Sequence, residues 1–296
     1  MVEFPIYSPE EEIQHPMLAE KKVRLFLKRD DMIHPFISGN KWRKLKYNIK
    51  EALQLGKTHL VTFGGVWSNH LLATACAAAK FGLKATAFVR GEDVNTDSLF
   101  LSKMFGMKLI FTDRQTYRNK RALFDSYFGE DTEAFFVDEG GAGELAVKGC
   151  SELISELKEH YHHIFCAAGT GTTAAGILRG LAESQSACHL HVLPVLKGAA
   201  FLREEVQLLS KTRLPFAFHD QYHFGGYART SPVLLNFISD FASTTGVLLD
   251  QVYTGKMMFS IFDLIRQDCF ETGQRILAVH SGGLFGLLGL KTSSSQ

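Results

Sequence analysis

The chain has 296 residues, with 32 lysines and arginines against 31 aspartates and glutamates for a net charge of +1. That length suits one large or two medium domains that bury roughly three quarters of the unfolded surface, and the balanced charge excludes a global field that would recruit nucleic acid or an acidic membrane surface, leaving a small-molecule partner. Cys76, Cys150, Cys166, Cys188 and Cys269 are odd in number and form no C-x-x-C pair, so free thiols in a reducing compartment, the cytoplasm, are expected.

Residues 1–16 carry acids and prolines rather than a basic patch followed by an apolar run, so no export signal is expected. No apolar stretch reaches the roughly 20 residues of a membrane helix. The one low-complexity piece is Ser293-Ser294-Ser295. A strand over 23–28 and an Arg29-Asp30-Asp31 turn lead to Ser38-Gly39-Asn40-Lys41-Trp42-Arg43-Lys44-Leu45. There the three- and four-residue spacing of Trp42, Leu45, Ile49, Ala52 and Leu53 predicts a helix with one buried stripe. Gly39-Asn40 suits a left-handed turn at its start. Lys41 therefore sits at the helix entrance beside the buried face. A free lysine has a pKa of about 10.4. Desolvation, the cations Arg43, Lys44 and Lys46, and the helix N-terminus are expected to lower it, so that Lys41 can act as a neutral amine. The alternative is one more solvated base in a Lys/Arg-rich first turn.

Further on, β-rich runs at 60–63, 85–89, 108–111, 163–167, 189–195 and 276–280 alternate with amphipathic helical stretches, the pattern of parallel sheets wrapped by helices. The units from about 47 to 141 form a complete set, which Gly140-Gly141-Ala142-Gly143 closes as a flexible hinge. The expected organisation is α/β, with a small domain at 47–141 inserted into a large one at 1–46 plus 142–296.

Three strand-to-helix turns are candidate site walls, because ligands of open α/β sheets bind at the carboxyl ends of strands. In Gly64-Gly65-Val66-Trp67-Ser68-Asn69-His70, Ser68 can cap the next helix and leave N–H groups for a carboxylate or phosphate. A capping pair with a satisfied histidine is the competing reading. Ala167-Ala168-Gly169-Thr170-Gly171-Thr172-Thr173 offers consecutive N–H groups and hydroxyls to a phosphate. It lacks the Gly-Lys-Ser/Thr of a Walker loop, has Ala174 at the third glycine of a dinucleotide fingerprint, and has no acid about twenty residues on, so phosphate without ATP or NAD fits better. His280-Ser281-Gly282-Gly283 stands between a strand and an expected helix, and lets a flat ligand approach closely. His162-His163 reads as a strand edge, and no metal site is expected.

Together with Lys28-Arg29-Asp30-Asp31, Glu139-Gly140-Gly141 and Tyr253-Thr254-Gly255-Lys256, these motifs stand in an order that resembles the 1-aminocyclopropane-1-carboxylate deaminase and D-cysteine desulfhydrase family, pyridoxal-phosphate enzymes of the tryptophan-synthase-β fold type. The similarity covers nearly the whole chain. It implies two open parallel-sheet domains with pyridoxal 5'-phosphate in the cleft between them, and a homodimer. By that resemblance Lys41 is the lysine joined to the cofactor aldehyde, Lys44 contacts the phosphate, Gly169, Thr170, Gly171, Thr172 and Thr173 form the phosphate cup, and Asn69 meets the pyridine hydroxyl. Ser68 lies near the substrate carboxylate and relays a proton, with Trp67, Asn69 and His70 in the same substrate-facing turn. Tyr227 and Tyr253 flank the substrate.

Thr254 and Ser281 stand where the family's deaminases carry a glutamate and a leucine near the pyridine nitrogen. Hydroxyls at both places match desulfhydrase-like members, so the resemblance implies conversion of D-cysteine to pyruvate, ammonia and sulfide, with deamination of 1-aminocyclopropane-1-carboxylate to 2-oxobutanoate as the alternative. Trp67 replaces a glutamine or tyrosine, and Ser281 the commoner threonine, which opens the choice to other β-substituted D-amino acids. A nicotinamide oxidoreductase using the Gly169 loop and a silent binding homologue are the remaining alternatives.

Overall fold

The computed structural model describes residues 4–289, and the Ser293–Ser295 run lies outside the described residues. Strands β1 (Glu10–Ile13), β2 (Arg24–Lys28), β7 (His163–Ala168), β8 (His189–Pro194), β9 (Ala217–Phe218) and β10 (Arg275–Val279) form one sheet in the order β1-β2-β10-β7-β8-β9. Its pairs are parallel except β1 with β2, an antiparallel edge. Strands β3 (His59–Gly65), β4 (Lys84–Arg90), β5 (Lys108–Thr112) and β6 (Ala134–Phe136) form a second, wholly parallel sheet in the order β5-β4-β3-β6. The smaller sheet thus arises from one stretch of chain, between β2 and β7 of the larger. Strands β1, β6 and β9 were not foreseen: they have only two to four residues, too few to show a period.

Helix α1 (Pro16–Lys21) precedes β2, and α2 (Asn40–Gln54) carries the Lys41 motif. Trp42, Leu45, Ile49 and Ala52 of α2 are buried in the core of the smaller sheet with Leu60, Leu71 and Ala85. Leu53, expected in that stripe, is 39 % exposed in the last turn, where the helix runs out into solvent. The alanine-rich α3 (Asn69–Lys80) follows β3, and small side chains at 73, 75, 77 and 78 let it bury almost completely against β3 and β4. Helices α4 (Asp97–Met104) and α5 (Lys120–Phe128) complete this half. The Gly140–Gly143 segment is a packed turn rather than a free hinge: Gly141 is buried, and a Cβ on it would sit 3.2 Å from Lys44 Cβ and 3.3 Å from His70 Cε1.

In the larger half, α6 (Glu144–Ser155) lies close to α7 (Thr172–Glu183) and against α2. A Cβ on Gly149 would fall 1.9 Å from Arg43 O, and one on Gly176 2.3 Å from Cys150 Cβ, so only glycine permits these crossings. Helices α8 (Phe201–Ser210), α9 (Pro232–Thr245) and α10 (Thr254–Arg266) finish the wrapping. After β10 the chain enters a 3-10 turn over Leu284–Gly289, where an α-helix was expected.

The amino-terminal ends of β7 and β8 and the end of β9 carry a chain of imidazoles. Gln274 Oε1 accepts from the Glu271 N–H and from His163 Nε2, at 3.1 and 2.9 Å. With its proton on Nε2, His163 accepts at Nδ1 from His191 Nε2 (3.0 Å), and His191 Nδ1 accepts in turn from His219 Nε2 (2.9 Å). Burial, and then the neighbouring His219 and His163, push the His191 pKa down to about 3. An imidazole whose folded pKa is depressed stabilises the fold fully above its unfolded value of about 6.5, and that contribution is lost as pH falls toward the folded value. Thermal unfolding followed by circular dichroism should show the midpoint falling as pH drops below about 6.5, with His191→Phe flattening part of the fall.

Candidate active site

Lys41 is the second residue of α2, at the carboxyl edge of both sheets. Gly39 caps the helix at φ +63°, and a Cβ there would lie 1.7 Å from Ser281 O, so the turn before Lys41 is pressed against the loop after β10. Asn40 N donates to Ser281 O and Asp31 N to His280 O. His280 is buried, with Nε2 donating to Leu248 O at 2.8 Å.

The helix is fixed two residues beyond Lys41. Arg43 is buried and forks onto the fully buried Asp30 at 2.7 and 2.8 Å, and onto Glu156 at 2.9 and 2.8 Å. Lys46 pairs with Glu152 at 2.9 Å. These ion pairs correct one expectation: Arg43 and Lys46 are neutralised by carboxylates and are not the cations that act on Lys41. Burial comes first and Lys44 second, and together they lower the Lys41 pKa to about 7. Lys44 is itself buried and lowered by burial.

Around these two amines stand the hydroxyls expected to hold a phosphate. Lys44 Nζ lies 3.4 Å from Thr170 Oγ1, which is 3.1 Å from Thr172 Oγ1, and Asn40 Nδ2 donates to Thr173 Oγ1 at 2.9 Å. Gly171 starts α7 at φ +73° and supplies no side-chain cap, leaving first-turn N–H groups open at a site where the helix dipole favours an anion. Gly169 lies against Tyr253: a Cβ on it would meet the Tyr253 hydroxyl at 3.1 Å.

From the other sheet, α3 presents the Ser68-Asn69-His70 turn. Ser68 occupies the N-cap position, yet its hydroxyl makes no capping bond and packs toward Gly64, so this expectation holds for position and not for the hydrogen bond. His70 is buried, with Nε2 bound to Thr62 Oγ1 at 2.7 Å; since Thr62 donates its own proton to Val137 O, His70 is the donor and its Nδ1 is a bare acceptor. That Nδ1 is buried without a partner, beside Gly141 and Lys44. Burial, then Lys41 and Lys44, hold the imidazole well below its usual pKa and hence neutral. Asn69 Nδ2 and the Asp250 carboxyl both lie against Gly283. Trp67 is 40 % exposed, at the open end of the turn.

The tyrosines form a pair. Their rings meet edge-on, with centroids 6.2 Å apart at 74°, and Tyr227 is half exposed. Burial raises both pKa values, that of Tyr253 well above the usual range, so both hydroxyls keep their protons near neutral pH. Sequence reading missed Asp250, which holds this side together. Its buried carboxylate accepts from the N–H groups of Val252, Tyr253 and Thr254 and from the Thr254 hydroxyl, at 2.7 to 2.9 Å. The Thr254 hydroxyl accepts in return from Asp250 N at 2.8 Å, so its proton is committed to Asp250. An acid four residues ahead of a helix start was the available signal.

This arrangement fits a phosphorylated aromatic aldehyde. The uncapped α7 N-terminus with Lys44 answers the phosphate, the depressed Lys41 amine answers the aldehyde, and the orphaned His70 Nδ1 and the glycine-floored space beside Tyr253 and Gly283 answer a flat polar ring.

Two outcomes follow from this geometry. Reaction of the cofactor-free protein with pyridoxal 5'-phosphate, trapped by borohydride and mapped by mass spectrometry, should label Lys41 with a rate that rises as pH passes through about 7; Lys44→Met, which removes a like charge, should move that midpoint upward. Asp30→Ala leaves the buried Arg43 guanidinium with Glu156 as its remaining carboxylate and should lower stability in urea by about 3 kcal/mol.

Comparison with known proteins agrees with the geometry. Residues 11–282 match the family model described as pyridoxal-phosphate dependent enzyme. A Thermotoga maritima protein provisionally named 1-aminocyclopropane-1-carboxylate deaminase is 31 % identical over 91 % of this chain and 92 % of its own. The mitochondrial bifunctional D-cysteine desulfhydrase/1-aminocyclopropane-1-carboxylate deaminase of Arabidopsis thaliana is 29 % identical over 89 % of this chain and 73 % of its own. The crystal structure of an ACC deaminase homologue superposes with a TM-score of 0.88 at 27 % identity, covering 98 % of this chain and 94 % of the other. The chain therefore belongs to the pyridoxal-phosphate dependent enzymes, with the two-sheet architecture known as fold type II and pyridoxal phosphate as its cofactor.

Proposed function

We propose that the chain is a deaminating lyase of small amino acids that converts D-cysteine and water to pyruvate, ammonia and hydrogen sulfide. The observation that carries this choice is the pair Thr254 and Ser281, with the Thr254 proton held by Asp250. A hydroxyl so engaged does not match the ionised carboxylate that would strengthen the ring as an electron sink, and elimination of a good leaving group needs less of that strength than the opening of a carbon ring.

Pyridoxal phosphate, held at Lys41, Lys44, Asn69 and the Gly169–Thr173 loop, supplies the electron sink that makes a Cα proton acidic. Lys41, with its pKa near 7, is the base that takes that proton. Ser68, Asn69 and the uncapped start of α3 bind the substrate carboxylate. Tyr227 and Tyr253, both protonated near neutral pH, deliver a proton to the departing sulfur. His70 stays neutral and orients the turn through Thr62. Trp67 narrows the entrance. We take the working unit to be a homodimer in a reducing compartment, the latter supported by five unpaired cysteines, four of them buried.

Deamination of 1-aminocyclopropane-1-carboxylate is the second reading, favoured by the names of the relatives. Parallel assays of sulfide and pyruvate from D-cysteine, and of 2-oxobutanoate from the cyclopropane, decide between them. D-cysteine should give the higher kcat/KM, and Lys41→Ala should lose at least about 10³-fold in kcat while still folding. Release of 2-oxobutanoate alone selects the second reading, and steady-state turnover by Lys41→Ala removes both.

A further inference from the structure

Within Tyr253-Thr254-Gly255-Lys256, the lysine has no place in the reaction above. It is 1 % exposed, in the first turn of α10, three residues after Tyr253 and so on the same helix face. Its Nζ donates to His223 O at 2.9 Å and to Gly226 O at 2.7 Å. Both carbonyls belong to the loop that presents Tyr227.

That loop is in an unfavourable backbone conformation. Phe224, Gly225, Gly226 and Ala228 have φ of +50°, +89°, +117° and +55°, two of them residues with a Cβ, and Tyr227 stands between the last two. Such a run persists only where its surroundings hold it. Phe224 packs edge-on to Phe259 of α10 at 4.9 Å, Tyr222 donates to Asp263 at 2.8 Å, the Gly225 N–H donates to His223 Nδ1 at 2.9 Å, Gly226 lies against Lys197, and the Lys256 ammonium ties the loop's two carbonyls to α10. The two carbonyls also accept backbone N–H groups, His223 O from Gly226 and Gly226 O from Arg229, so neither depends on Lys256 for its only hydrogen bond. A buried ammonium is a costly way to add second bonds to carbonyls already satisfied. What it does achieve is geometric: one turn of α10 carries Tyr253 directly and holds the loop bearing its partner.

We propose that Lys256 is a positioning residue that fixes the Tyr227 ring against Tyr253, and through that pair sets proton delivery at the substrate's leaving group. This rests on the reading above that Tyr227 acts on the substrate.

The test is a double-mutant cycle on the holoenzyme with D-cysteine, or with the cyclopropane if that is the substrate turned over, using Lys256→Met, Tyr227→Phe and both together, with amide hydrogen exchange over residues 223–228. Lys256→Met should keep the absorbance of bound pyridoxal phosphate, lose about tenfold or more in kcat with KM changed far less, and speed exchange in the loop. The double variant should be no worse than Tyr227→Phe, because the tyrosine is already out of action. Lys256→Gln, which keeps one pair of N–H donors, should fall between, and it completes the same cycle if Lys256→Met does not fold. An impaired Tyr227→Phe whose loss multiplies with that of Lys256→Met, or unchanged exchange at 223–228, overturns the positioning role alone. A fully active Tyr227→Phe overturns it together with the role of Tyr227, and faster loop exchange in Lys256→Met then identifies that second case.

Discussion

The Asp30–Arg43 ion pair is the constraint on which the site depends. Asp30 opens the 3-10 turn just after β2 and Arg43 lies two residues after Lys41, so this buried fork ties the entrance of α2 to the larger sheet while the rest of the helix packs on the smaller one. Arg43 continues to Glu156 of the α6 end, and Ser8 adds a hydrogen bond to Asp30 at 2.7 Å. Burying such a pair gains little net stability over apolar packing, whereas separating it is expensive. Its value here is positional and electrostatic. With Arg43 and Lys46 neutralised, the local field on Lys41 comes from Lys44, and desolvation does most of the lowering.

Lys41, Lys44 and His70 then form a set of three basic groups that share one dry region, each depressed by burial and two of them by their neighbours. Without an anion this is an unfavourable concentration of positive potential. A phosphate at the α7 N-terminus relieves it, lowering the energy of Lys44 in its charged form while Lys41 remains available as a neutral amine. The different fates of two lysines one helical turn apart follow from what each faces: Lys44 reaches the Thr170 hydroxyl, and among the described residues no partner of that kind holds the Lys41 proton.

Much of this was legible because it is local. The α2 stripe from Trp42 to Ala52, the turn at Gly39 and the small-residue loops after β3, β7 and β10 each carry their signal within about ten residues of chain. What the sequence did not disclose lies in partners far apart. The carboxylates that neutralise Arg43 and Lys46 are 113 and 106 residues away for Glu156 and Glu152, and no periodicity announces such a pairing. Asp250 and Lys256 stood in or beside a recognised motif, but their roles depend on a helix start and on a loop 30 residues upstream that only the fold brings together. The imidazole chain crosses three neighbouring strands, and its members look like unrelated surface histidines in the linear order.

The helix starts around the site show where local stability has been set aside for binding. Peripheral helices close their first turn with a side chain: His15 for α1, Thr96 for α4, Asn119 for α5 and Ser231 for α9. At the cleft the start of α10 is closed by the Asp250 carboxylate, but α2, α3 and α7 have no such bond, with Gly39 before α2, Ser68 before α3 and Gly171 before α7. A missing cap costs about 1 kcal/mol. Glycine could be explained at two of these positions by the close approach at Ser281 and the left-handed backbone at 171, and α6 and α8 also begin without a side-chain cap. Ser68 cannot be explained that way. It is among the best capping residues, stands at the capping position in extended backbone, and still leaves the N–H groups of Asn69 and His70 without a side-chain cap. An uncovered helix start opposite a second one, with a depressed lysine beside them, is suited to a ligand carrying two separate anionic groups: a phosphate at α7 and a carboxylate at α3.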